Sequence, residues 1–148
     1  MGERNVLKNS ELLEMIKKDS EIDNSEIAEE NIKVIALHAK YLGLHQEEKR
    51  LLKIIEEEVN KLKLKKMEYY LGRSPDQVYR DNPLNIKIPR QDLDFYLDAD
   101  DELCELKRKM NLCQSKVDLL KAFIDQNLNQ RSHWFRNAIN FLNFSVGK

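Results

Sequence analysis

The chain has 148 residues, 25 basic and 26 acidic side chains, a formal net charge of −1, and 34% charged residues with few Gly or Pro. This is one domain's worth of chain, and a Leu/Ile/Lys/Glu-rich composition favours long amphipathic helices over a sheet protein or a deeply cored globule. No apolar run approaches the ~20 residues of a membrane span, and the polar start Met1-Gly2-Glu3-Arg4-Asn5 has no secretory apolar region, so a cytoplasmic protein is expected.

Residues 1–9 read as frayed. Ser10 is placed to cap a short helix over 11–18, with Glu11 and Glu14 at its positive start and Lys17 and Lys18 at its end. The next helix is announced by Asp23 as N-cap, Glu26 completing a capping box, and Ile22 against Ile27 as a staple. Steps of seven from Ile27 give Val34, Tyr41, Glu48, Ile55, Leu62 and Tyr69, with Leu37, Leu44 and Leu51 interleaved, a coiled-coil-like seam with one polar interruption. The spacing predicts one helix over about 24–71, roughly 70 Å long if Gly43 does not break it. Gly72 is its stop.

All three prolines, Pro75, Pro83 and Pro89, fall in the connector 72–97. There Ile86-Lys87-Ile88 alternates like an edge strand or hairpin arm. Asp98 is expected to cap a helix over 99–128, in which Leu103, Leu106, Met110, Cys113, Val117, Leu120 and Ile124 alternate steps of three and four. After a polar break at Asn129-Gln130-Arg131-Ser132, an apolar helix over 132–145 carries Trp134, Phe135, Ala138, Phe141, Leu142 and Phe144, and subunit assembly is its simplest use. The fold class is therefore all-α, and the chain 1–148 is expected to form a single helical domain with 132–145 as its oligomerisation helix.

Cys104 and Cys113 would lie on opposite helix faces about 13 Å apart, too far for a disulfide, and no Cys/His cluster forms a zinc pattern. His38, His45 and His133 are scattered, and no phosphate-binding glycine loop, nucleophile elbow or HExxH is present. Neither an enzyme nor any cofactor or metal is expected.

Charge is concentrated in two places. Gln91 to Glu105 holds seven acids and no base, which fits a solvated acidic turn, a docking surface for a basic partner, or a guard against nucleic acid. The stretch Lys61-Leu62-Lys63-Leu64-Lys65-Lys66-Met67-Glu68-Tyr69-Tyr70-Leu71-Gly72-Arg73 carries five bases and one acid. Phosphate binding with base stacking nearby is one reading of it; a solvated helix end with packed tyrosines is the other. Helical spacing puts Lys63, Lys66 and Tyr70 on one face and Lys61 and Lys65 on another.

That run resembles the L-K-A-R-L-D-Y-Y-x-G-R motif of the UvsY family, recombination mediators of T-even-like phages. Ile22-Asp23 before a capped helix, Lys40-Tyr41-Leu42 with His45, Leu97-Asp98-Ala99-Asp100, Arg131, Phe144 and Gly147-Lys148 are similar to that family as well. The resemblance implies a single-stranded-DNA-binding protein that forms a ring-like hexamer or heptamer in the cytoplasm of an infected bacterial host. It would help a RecA-like phage recombinase load onto strands covered by the phage single-strand-binding protein. The family's DNA-contacting arginine falls on Lys66 and its lysine on Leu64, for which Lys63 is the natural substitute. The expected DNA-binding set is Lys63, Lys66, Tyr70 and Arg73, with Lys65 and Tyr69 beside them. The competing expectation is a coiled-coil scaffold or adaptor with no affinity for nucleic acid.

Overall fold

The computed structural model describes residues 7–23 and 25–147, which form helices α1 (Asn9–Asp19), α2 (Ile27–Tyr70), α3 (Asp76–Asp81), α4 (Leu93–Asp98), α5 (Asp101–Phe123) and α6 (Asn129–Gly147) and no strand. One 3₁₀ turn (Arg90–Asp92) precedes α4, and one π-helical turn (Ile124–Leu128) joins α5 to α6. The protein is all-α, with the two long helices the sequence predicts. The chain forms two compact units, Met1–Lys49 with Gln114–Lys148 and Arg50–Cys113.

In the first unit, Leu12, Tyr41, Leu120, Phe123, Ile124 and Leu128 make the core. Tyr41 is fully buried, its ring tilted against Phe123 at 4.6 Å. Its hydroxyl donates to Asp19 Oδ2 at 2.8 Å, and Lys40 Nζ reaches the same oxygen at 2.7 Å. Burial alone would raise the Asp19 pKa, but the hydrogen bonds from Lys40 and Tyr41 outweigh it and lower it. Arg131 is buried, with Nη2 donating to the Asp19 carbonyl at 2.7 Å and Nε to Asn127 Oδ1 at 2.8 Å.

In the second unit, Val59, Leu93, Leu97 and Leu103 form the core, with Ile55, Leu62, Met67, Tyr70, Leu71, Leu106 and Met110 packed on it. The seam of α2 is not a strict heptad. Val34 and Tyr41 are buried seven apart, and so are Leu52 and Val59, but Tyr41 and Leu52 are eleven apart. A step of eleven is close to the natural 3.6-residue period, whereas uninterrupted sevens drift off a straight helix. One further step of seven from Val59 lands on Lys66, which places a cation at the edge of a core.

Several boundaries differ from the sequence reading. Ser10 lies inside α1, and the Glu11 carboxylate accepts from the Lys8 backbone N–H at 2.9 Å. Of the stretch 1–9 expected to fray, residues 1–6 lie outside the described residues and Asn9 opens α1. Asp23 does not cap α2: its Oδ1 accepts from Ser25 N at 2.9 Å and Ser25 Oγ at 2.6 Å, a local Asx turn, and the helix starts at Ile27. Gly43 causes no break.

The connector contains no strand at Ile86-Lys87-Ile88; it holds α3, the 3₁₀ turn and α4, whose first turns follow Pro75 and Pro89. Proline suits a helix start because it has no N–H to leave unbonded. The polar run 129–132 is no break either, since the π turn carries the helix on into α6.

Gly72 ends α2 as expected, at φ 75°. Arg73 N–H donates to the Glu68 carbonyl at 2.8 Å and Gly72 N–H to that of Tyr69 at 3.1 Å, a Schellman closure. Nothing lies within 4 Å of where a Cβ would stand, so Gly72→Ala meets only the left-handed backbone penalty. It is expected to cost about 1 kcal/mol in denaturant melts, and an unchanged midpoint would show that the turn does not need glycine.

Candidate nucleic-acid interface

The basic run occupies the last three turns of α2 and the residues just past its end. Lys61, Lys63, Lys65 and Arg73 are exposed. Lys66 is not: its side chain is 18% exposed, with Nζ 2.8 Å from Glu102 Oε2 and 3.3 Å from Asp100 Oδ2. Burial works against its charge, but the hydrogen bonds and charges of Glu102 and Asp100 prevail and raise its pKa.

Tyr70 shares this network, its hydroxyl donating to Asp100 Oδ2 at 2.7 Å. Burial, followed by that hydrogen bond and the Asp100 charge, pushes the phenol pKa upward, so Tyr70 stays neutral and donating. Asp100 Oδ1 in turn accepts the Leu103 backbone N–H at 2.9 Å, which makes Asp100, and not Asp98, the N-cap of α5. Asp98 closes α4 instead, and its carbonyl accepts the Cys104 thiol at 3.0 Å. Cys104 and Cys113 are not joined in a disulfide, in keeping with their spacing.

For Asp100, burial would raise the pKa; the Tyr70 hydroxyl, the Leu103 N–H and Lys66 together lower it. Of the predicted face Lys63, Lys66 and Tyr70, then, only Lys63 points freely outward, while Lys66 and Tyr70 fasten the end of α2 to the start of α5.

Tyr69 stands differently. Its ring stacks on Tyr79 at 5.5 Å with an interplanar angle of 18° and meets Tyr70 edge-on at 5.1 Å. Its hydroxyl donates to the Asn82 carbonyl at 3.0 Å. The Tyr79 hydroxyl donates to the Tyr69 carbonyl at 2.8 Å, a second bond to the oxygen that also accepts the Gly72 N–H. A cleft of about 240 Å³ opens here, lined by Lys65, Lys66, Glu68, Tyr69, Ser74, Pro75, Val78, Asn82 and Glu102.

The sequence alone does not mark Asp100 and Tyr79 as site residues, because no local pattern reveals them. Asp100 meets its partner Tyr70 across 30 positions, and Tyr79 lies in a helix inside what read as a loop.

On α6, Phe135 is buried within the first unit and Ala138 is half-buried. Trp134 is 43% exposed, Phe141 69%, Leu142 48% and Phe144 83%. Among the described residues, no helix is long and apolar enough to cross a membrane.

The fold is that of known crystal structures. The structures of the bacteriophage T4 recombination mediator protein UvsY in lattice types II and IV match with TM-scores of 0.83 and 0.81, at 21% and 18% identity, each covering 95% of this chain and 98% and 100% of that one. The lattice type I structure matches with a TM-score of 0.80 at 22% identity over 91% of this chain and 98% of that one. At such identities the likeness carries the fold alone. No curated protein matches. The model of the family described as recombination, repair and ssDNA binding protein UvsY matches residues 15–148, nearly the whole length, and the chain therefore belongs to the UvsY family.

Proposed function

We propose that the protein is a recombination mediator. It binds single-stranded DNA as a ring-like homo-oligomer of six or seven copies. It promotes loading of a RecA-like phage recombinase onto strands covered by single-strand-binding protein. The observation that carries this reading is the exposure of Lys63 and Lys65, on two faces of the end of α2, and of Arg73 just past it, on a chain of net charge −1. A local cationic patch on a near-neutral protein attracts a phosphate backbone without drawing the whole surface to nucleic acid.

Two or three phosphate contacts bind weakly, and several copies on one ring multiply them through effective concentration. Trp134, Ala138, Phe141, Leu142 and Phe144 supply the contacts between copies, whereas Phe135 already serves its own chain. Within the DNA site, Lys63, Lys65 and Arg73 meet phosphates directly, with Tyr69 beside them. Lys66 and Tyr70 fix the helix end, and Lys66 reaches a phosphate only by exchanging it for Asp100 and Glu102. The mechanism has no catalytic step of its own.

Single-stranded oligonucleotide binding measured by anisotropy across salt concentrations tests this. Each neutralised phosphate contributes about −0.7 to the log–log slope. The variant Lys63→Ala, Lys65→Ala, Arg73→Ala is expected to flatten the slope by about 2 per protomer engaged while sedimentation still reports the full assembly. An unchanged slope rejects the site. No affinity at physiological salt in the parent protein would favour a scaffold or adaptor.

A further inference from the structure

The cleft beside the basic run differs in character from its rim. Tyr69, Pro75 and Val78 give it apolar and aromatic walls, and Ser74 and Asn82 offer hydroxyl and amide groups. Glu68 and Glu102 add carboxylates, the second of which also holds Lys66 at 2.8 Å. These two carboxylates offset Lys65 and Lys66 in the same lining, so the interior carries no net positive charge to hold a phosphate, whereas Lys65 is itself exposed to solvent at the cleft. The arrangement suits a nucleotide whose anionic phosphate is held outside on Lys65 while its uncharged base enters.

The carboxylates then become an asset. A glutamate accepts a hydrogen bond from an exocyclic amino group of a base, and an asparagine amide can both donate and accept. Tyr69 is fixed beforehand by the stacked Tyr79 ring and by its hydrogen bond to the Asn82 carbonyl, so little ordering is needed on binding. The volume, about 240 Å³, is below the ~300–1,000 Å³ of pockets for drug-sized ligands. That size suits a single base better than a nucleoside triphosphate.

We propose that the cleft formed by Tyr69 of α2 with Ser74, Pro75, Val78 and Asn82 of the connector receives one unpaired nucleobase of the bound strand. This rests on the single-strand-binding reading given above and adds to it that the protein holds bases as well as phosphates. Each protomer then grips the strand at one extruded base, a hold that duplex DNA, with its bases paired and stacked, cannot offer.

The test compares two labelled strands of equal length and phosphate count, oligodeoxycytidine and the corresponding abasic phosphodeoxyribose chain, bound to the full-length assembly at matched salt. The cytidine strand is expected to bind about tenfold tighter, the effect of one base engaged on an aromatic wall. Val78→Trp, which fills the cleft, should bring the ratio close to one with the salt slope unchanged. Asn82→Ala, which keeps the backbone carbonyl used by Tyr69, should lower the ratio without threatening the fold. Equal binding of the two strands by the parent protein overturns the base site and leaves the phosphate reading standing. Absence of salt-dependent binding to either strand overturns both.

Discussion

Replacing Phe141, Leu142 and Phe144 together by serine is expected to dissolve the assembly into single chains and to weaken single-strand binding by about 10²- to 10⁴-fold, the range that multivalent attachment commonly provides. The three side chains are 69%, 48% and 83% exposed. Their removal therefore costs the isolated chain little, since surface substitutions usually stay within about 0.5 kcal/mol. Circular dichroism melts should be nearly unchanged while sedimentation velocity shows the mass fall. Phe135→Ser makes the contrasting control. That ring is 1% exposed, so its loss is expected to destabilise the chain itself by about 3 kcal/mol or more. A full-size ring persisting in the triple variant would remove α6 from the interface.

The second large effect is expected at Asp100. Asp100→Ala removes the α5 cap, the acceptor of the Tyr70 hydroxyl and one of the two carboxylates on Lys66. Loss of a cap costs about 1 kcal/mol, and the part-buried Tyr70 hydroxyl left without an acceptor adds a penalty within the range of about 1–3 kcal/mol. A total of about 3 kcal/mol by denaturant titration is therefore expected, tempered because Glu102 still pairs with Lys66. Adding Tyr70→Phe should recover part of the loss, since it removes the orphaned hydroxyl.

The pH dependence has a definite sign. The Asp100 pKa is lowered in the folded state, so its stabilisation is fully present above the unfolded value of about 3.9 and is lost as pH falls through the lower folded value. Lys66, raised by its carboxylates, contributes below an unfolded value of about 10.4 and ceases to do so as pH climbs through the higher folded one. Stability measured between about pH 2 and 4 should thus fall more steeply in the parent than in Asp100→Asn. Parallel acid limbs would show that Asp100 carries no such coupling.

The long helices were legible because their information is periodic and repeated many times: Leu103, Cys113, Val117, Leu120 and Ile124 are all buried where steps of three and four place them. Features decided by a single residue were harder. Asp98, Asp100 and Asp101 are chemically equivalent caps, and the choice among them falls to α4, which needs Leu93 and Leu97 in the core and so continues as far as Asp98. The polar run at 129–132 read as a break because Arg131 looks like a surface residue. Its guanidinium instead finds the Asp19 carbonyl 112 positions away. The alternation Ile86-Lys87-Ile88 mimics a strand, but only Ile88 is buried and no neighbouring strand exists to pair with it among the described residues.

The candidate site was legible in its location and less so in the roles of its members. Lys63, Lys65 and Arg73 are exposed as a phosphate-binding group requires. Lys66 and Tyr70 share a face, as their spacing of four requires, but a helical wheel cannot show that this face turns toward Asp100. The eleven-residue step between Tyr41 and Leu52 moves the buried line onto Lys66, and a strict count of seven from Ile27 misses it.

The bond between Lys66, Tyr70 and Asp100 also limits what can be transplanted. Residues 61–73 look like a portable cassette, yet grafting them onto a foreign helix would carry over the outward lysines while leaving an ammonium and a phenol without the acceptor they share. A functional chimera would have to import the segment around Asp100 as well. In any swap between relatives, Lys66, Tyr70 and Asp100 form one unit of exchange drawn from two distant parts of the sequence.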